Sequence, residues 1–171
     1  MISVQYTVSI KSRNPVWEEI VKLKVLVGSG EKIGLLVAPF LVVGLTLNIL
    51  RPSWFMVGGP PTALAIISII LLIPGVIVWL WSVFLILTKV PKGELITNGP
   101  YILAKHPLYT GVSLLVLPWA GFLFNTWLGA LIGAVVYTGS RMFSSDEEKI
   151  LAKIFGAAWD DYTRQVKIPW L

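Results

Sequence analysis

The chain's 171 residues are 56% hydrophobic and only 13% charged, against roughly a quarter charged in an ordinary soluble domain. That deficit excludes a water-exposed surface over most of the molecule, and the apolar residues gather into runs as long as a bilayer is thick, so lipid is the expected solvent. A formal charge of +5 has a prior use in a membrane protein as a topology signal, so nucleic acid is not an expected partner, and the lack of cysteine excludes disulfides, thiolate metal sites and a thiol nucleophile.

Residues 1–10 carry no charge and lack the basic start and apolar centre of a cleaved signal peptide, so a mature N-terminus is expected. Residues 14–27 open with Asn14-Pro15 and place Trp17, Ile20, Val21 and Val25 among lysines, the pattern of a short interfacial helix; Lys22-Leu23-Lys24-Val25-Leu26 also alternates as a strand would. The first apolar run, residues 33–50, covers about 27 Å as a helix and just spans a hydrocarbon core. Arg51-Pro52 ends it, and residues 53–61, with Trp54, two glycines and two prolines, form a tight turn at the interface. The second run, residues 62–88, is longer than a span requires and carries Pro74-Gly75, where tilt and a kink are expected.

Residues 89–106 are polar and rich in turn formers and belong in a loop. Residues 107–141 are apolar again, too long for one crossing and broken at Gly121 and Asn125, which predicts two helices in a tight hairpin. Residues 144–171 return to soluble composition, with Leu151, Ile154, Phe155, Trp159 and Tyr162 at helical spacing, an amphipathic helix ending in a short tail. The fold expected is a single all-α integral membrane domain over residues 1–171. It has about four transmembrane helices, an N-terminal interfacial helix and a C-terminal cytoplasmic amphipathic helix. Residues 1–32 form the interfacial segment, 33–88 the first two spans and 89–171 the half that holds the candidate site.

Four crossings put both ends on one side, and the charges agree. Lysines and arginines precede the first run, occupy the 89–106 loop and follow residue 140, Arg51 alone being left for the opposite side; every acid falls on the basic side too. The positive-inside rule then places both termini and the middle loop in the cytoplasm.

Two clusters on that side carry possible chemistry. The first runs from Asn98 to Gly111 and gathers two tyrosines, a lysine and the chain's only histidine: Gly99-Pro100-Tyr101, then Lys105-His106-Pro107-Leu108-Tyr109. Such residues also suit a plain interface, but their density exceeds what a connector needs. The second is Arg141 to Glu148. A continuous helix sets Tyr137, Arg141, Ser144 and Glu148 along one face, whereas Ser144 with Glu147, or Ser145 with Glu148, would make a capping box that starts a new helix. Because the hairpin returns the chain to the side it left, the clusters can meet. Cationic and hydrogen-bonding groups facing carboxylates suit a ligand that bears both an ammonium and a carboxylate.

Gly99-Pro100-Tyr101, Lys105-His106-Pro107-x-Tyr109-x-Gly111, an apolar hairpin, Asp146-Glu147-Glu148, Phe155-Gly156 and Tyr162, in that order, resemble the isoprenylcysteine carboxyl methyltransferase and phospholipid methyltransferase superfamily over residues 95–171. The resemblance implies a membrane-embedded methyltransferase that uses S-adenosylmethionine at its cytoplasmic face, with a lipophilic acceptor entering from the bilayer. It implies a cofactor site of Gly99, Tyr101, Lys105, His106, Pro107, Tyr109, Glu147 and Glu148, with Glu147 and Glu148 on the methionine ammonium, and a catalytic set of His106, Glu148 and Arg141. Family members usually carry Arg where this chain has Lys105; Lys cannot form a bidentate fork to a carboxylate, so Arg141 is expected to share that role. Gly75 is a candidate for close approach to the cofactor or, more simply, part of a kink. No metal is implied. The rival enzyme class is a nicotinamide-dependent sterol or steroid reductase, which shares a related Tyr…His-Pro-x-Tyr region. The non-enzymatic rival is a membrane scaffold or lipid-binding protein.

Overall fold

The computed structural model describes residues 29–169; the interfacial helix expected over 14–27 lies outside them. Five helices carry the fold: α1 (Gly30–Leu50), α2 (Pro61–Lys89), α3 (Pro107–Leu123), α4 (Leu128–Phe155) and α5 (Ala157–Gln165). No strand occurs among the described residues, only a single antiparallel bridge between Met56 and Thr126.

Two of these helices are long and apolar enough to cross a bilayer: Gly30–Leu50, and Pro61–Lys92 once the 3-10 turn that continues α2 is included. Both begin and end where the sequence loses its apolar run. Pro61 supplies the first helical position of α2, where a missing N–H costs nothing, and Pro39 and Pro74 are accommodated inside α1 and α2.

The expected hairpin is present as α3 and α4. Its turn falls at Asn125, whose φ of 57° is the left-handed conformation that asparagine tolerates. Within α3 the backbone passes through a π-helical stretch, Val112–Val116, just ahead of Pro118. That proline has no N–H to offer and its ring crowds the preceding turn, so the regular hydrogen-bond ladder must re-register there.

One boundary corrects the sequence expectation. The C-terminal amphipathic helix was expected to start at residue 144, whereas α4 continues unbroken from Leu128 through that point to Phe155. No capping box forms: Ser144 Oγ donates instead to the Arg141 carbonyl at 3.4 Å. The break comes at Gly156, whose φ of 52° suits glycine, and only then does the separate amphipathic helix α5 begin.

The helices pack in the order α1, α4, α3, α2. Small residues set the contacts, as in other membrane helix pairs. On α3 and α4, a Cβ at Gly129 would run into the Leu117 carbonyl and one at Gly133 into the Ser113 carbonyl. Gly44 faces the Leu128 side chain and Gly139 the Leu36 side chain, which seats α1 on α4. A Cβ at Gly75 would stand 2.6 Å from the Leu115 Cβ, so this glycine serves the approach of α2 to α3.

At the end holding the hairpin turn, two loops are clasped together. Trp127 stacks on Phe55 at 4.8 Å and donates from its indole to the Trp54 carbonyl at 2.9 Å. Thr126 Oγ1 donates to Asn48 Oδ1 at 3.0 Å, and the Gly58 amide to Asn125 Oδ1 at 3.2 Å. The opposite end holds the loop from Val90 to His106, α5 and the polar extension of α4.

Candidate active site

Pro107 opens α3 and locks its first turn, leaving Lys105 and His106 at the mouth of the hairpin. The loop ahead of them is pinned from several directions. Gly99 takes a φ of 61° and lies so close to Trp81 that a Cβ there would stand 3.0 Å from the indole. The chain after α5 pairs with the loop through the Lys167 amide on the Ile102 carbonyl, 3.2 Å, and the Ile168 amide on the Leu103 carbonyl, 2.9 Å. Beneath it, Leu95, Phe155, Ala158, Trp159, Tyr162 and Val166 form an apolar cluster with Tyr101 packed against it. Tyr162 donates its hydroxyl to the Tyr101 carbonyl at 3.0 Å. Such a loop needs this support because its own sequence supplies no regular hydrogen-bond ladder.

On this platform the two sequence clusters meet. Lys105 Nζ lies 2.7 Å from Glu148 Oε1 and His106 Nε2 lies 3.2 Å from the same oxygen. The three side chains are largely withdrawn from solvent, with exposures of 15% for Lys105, 9% for His106 and 27% for Glu148. The hydrogen bond from His106, joined by that from Lys105 and by both charges, pulls the Glu148 carboxyl down to about 2 against the opposing effect of burial. An ionised carboxylate can only accept, so His106 Nε2 carries the hydrogen, and in the neutral ring Nδ1 is the nitrogen with a free lone pair.

Glu147 stands apart from that ion pair. It is partly exposed, accepts one hydrogen bond from Ser29 Oγ at 3.3 Å, and meets no cation within salt-bridge distance among the described residues. Burial, followed by the neighbouring Tyr162 phenol, the Glu147 carboxylate and the Tyr109 phenol, holds the Tyr101 phenol above its usual range. Burial and Glu148 do the same for Tyr162. Both phenols are therefore neutral hydrogen-bonding groups at physiological pH. Tyr109, on the first turn of α3, sets its ring 6.4 Å from that of His106 and its hydroxyl beside Gly30 at the start of α1.

Of the residues singled out by sequence, Tyr101, Lys105, His106, Pro107, Tyr109, Glu147 and Glu148 gather at this junction, and Gly99 shapes the loop that carries them. Arg141 does not join them: it is exposed and forms no ion pair among the described residues. Arg141 and Ser144 are one turn apart on the continuous helix α4, but Ser144 is buried and Arg141 exposed, so the packed side of the helix includes the serine and leaves out the arginine. Sequence reasoning missed Ser29, which reads as an ordinary N-cap ahead of an apolar run. It sits at the N-cap position of α1 yet makes no capping bond.

Comparisons with curated proteins and with solved structures return no significant match. A sequence profile of the phospholipid methyltransferase family matches residues 54–158. That stretch is more than half of the chain, contains the whole α3–α4 hairpin with Lys105, His106, Glu147 and Glu148, and makes the chain a member of the phospholipid methyltransferase family.

Proposed function

We propose that the protein is an S-adenosylmethionine-dependent membrane methyltransferase whose site faces the cytoplasm and whose acceptor is lipophilic, an isoprenylcysteine-like carboxylate or a phospholipid amine. One observation carries this: within the family-matched stretch, the hairpin brings Lys105 and His106 onto Glu148 while leaving Glu147 beside them without a cation among the described residues.

The donor set fits the amino-acid head of that cofactor. Glu147 suits an ammonium, and Lys105, which among the described residues bonds Glu148 with one of its three hydrogens, suits a carboxylate. Tyr101 and Tyr109 offer neutral aromatic faces and hydroxyls at the same mouth. When bound, the cofactor supplies a methyl group activated by a sulfonium. The chain's own part is to align the donor with the acceptor and to keep water out, which is most of what an in-line methyl transfer demands. Glu148 holds Lys105 and His106 in place, and where the acceptor is an amine the Nδ1 lone pair of His106 takes up the released proton. Arg141, exposed near the end of the apolar part of α4, is left out of this mechanism. Four crossings with both termini in the cytoplasm are part of this reading, and the hairpin, the two long apolar helices and the distribution of charge support it.

Titration calorimetry of the full-length protein in detergent tests this, with S-adenosylhomocysteine and NADPH as separate probes. Saturable binding of S-adenosylhomocysteine is expected. Binding of NADPH alone would favour a reductase, and binding of neither would reduce the junction to a structural tie.

A further inference from the structure

Ser29 lies before the family-matched stretch and immediately ahead of α1, yet its side chain belongs to the candidate site. It is 5% exposed. A serine at an N-cap ordinarily turns its hydroxyl to the free amides of its own helix, but this one makes no such bond. The hydroxyl instead faces two acceptors on α4, the Phe143 carbonyl at 3.0 Å and Glu147 Oε2 at 3.3 Å. Neighbouring contacts hold it there. Lys32 pairs with Asp146 at 3.4 Å, and Gly30 abuts the Tyr109 hydroxyl, where a Cβ would come within 3.7 Å. Ile33, on the next turn, is buried in the cluster that joins α1 to Leu128, Ile132 and Val136 of α4.

We infer that Ser29 is a positioning residue for Glu147, so that α1 completes the site from outside the stretch the family profile covers. A glutamate on a helix has several rotatable bonds, and a partly exposed one samples many directions. The Ser29 hydroxyl, itself anchored near the Phe143 carbonyl, restricts one carboxylate oxygen and leaves the other directed to the ligand. The two acceptors compete for a single hydrogen, so the bond to Glu147 is adjustable and strengthens when the carboxylate is drawn into place by an ammonium. The ligand class is therefore one with a cationic amino group, as in the amino-acid head of S-adenosylmethionine, and in this respect the inference rests on the function proposed above.

The test is S-adenosylhomocysteine binding to the full-length protein in detergent, compared among wild type, Ser29→Ala, Ser29→Thr, Glu147→Gln and the Ser29→Ala/Glu147→Gln double variant. Ser29→Ala is expected to weaken binding about fivefold, the scale of one ordinary hydrogen bond, since the hydroxyl is shared with the Phe143 carbonyl. Ser29→Thr, which keeps the hydroxyl, should restore it. If Ser29 acts through Glu147, the double variant binds no more weakly than Glu147→Gln alone, because neighbouring groups in one interaction are not additive. A merely structural role would make the losses multiply, and that result overturns the inference, as does wild-type affinity in Ser29→Ala. Should Ser29→Ala fail to fold, Ser29→Cys, similar in size but a weak donor, gives the same comparison. A wild-type protein that does not bind the probe overturns the proposed function and the inference together; a wild type that binds, with Ser29→Ala unchanged, overturns the inference alone.

Discussion

Glu148 is the acceptor on which the junction turns. Replacing it with glutamine leaves Lys105 and His106, both largely buried, without their carboxylate, and the expected cost is about 1–3 kcal/mol of stability at neutral pH. The pH dependence has a definite sign. A carboxyl held at about 2 in the folded protein, against its ordinary value of 4.5, contributes stability that is fully present above the ordinary value and is lost as pH falls through the folded one. Thermal unfolding in detergent, followed by tryptophan fluorescence, should show the gap between wild type and Glu148→Gln narrowing between about pH 4.5 and 2. A gap that persists at pH 2 would mean the carboxylate contributes little through its charge. Tyr101 and His106 were legible as candidates because unusual residues crowd a short loop and the start of α3, and Glu148 because acids follow directly on an apolar run. Ser29 was not, because a serine ahead of a helix carries the same local signature whether it caps that helix or reaches a glutamate over a hundred positions away. The exposure of Arg141 could not be read for a related reason: periodicity gives a face, but which part of that face meets a neighbour depends on packing.

Among the helices, the contact between α3 and α4 leaves the least room. A methyl group at Gly129 or Gly133 meets a backbone carbonyl rather than a yielding side chain, so Gly133→Ala should destabilise the protein by about 1–3 kcal/mol or abolish its folded yield. Gly34 offers a matched contrast. It is exposed on α1 with nothing among the described residues within 4 Å of where its Cβ would stand, and Gly34→Ala should be neutral or stabilising by up to about 1 kcal/mol. Melting temperatures of the two variants in one detergent decide the matter; equal losses would mean that the helices are not packed at these glycines. The apolar runs were readable to within a few residues because bilayer thickness sets their length. The extent of α4 was not, since serine followed by acidic residues is a start signal that a continuing helix can override once both of its halves are packed. The π-helical stretch ahead of Pro118 left no periodicity to read.

For the molecule as a whole, charge predicts orientation. Among the described residues Arg51 is the lone basic residue at the end that holds the hairpin turn, and the site with its lysines and acids is at the other. The chain has no cysteine, so a single introduced thiol reports its own side. Met56→Cys, 57% exposed in the native residue, should react with a membrane-impermeant maleimide on intact cells, while Ser145→Cys, also at an exposed position, should react only after permeabilisation. Labelling of both from the same side would remove the even number of crossings on which the cytoplasmic site depends.

The packing order has a further consequence, in time rather than in space. Of the five described helices α1 leaves the ribosome first, but the helix that covers its buried face, α4, is synthesised after α2 and α3. At roughly 5–20 residues per second, translation of the intervening stretch of about 80 residues leaves α1 waiting on the order of 4–16 s before its partner exists. α1 is long and apolar enough to cross a bilayer, and a lone helix whose backbone groups are paired internally is compatible with lipid in the meantime. Ser29 and Lys32 cannot meet Glu147 and Asp146 before α4 exists, so the site acquires its α1 contacts only when synthesis of the hairpin is over.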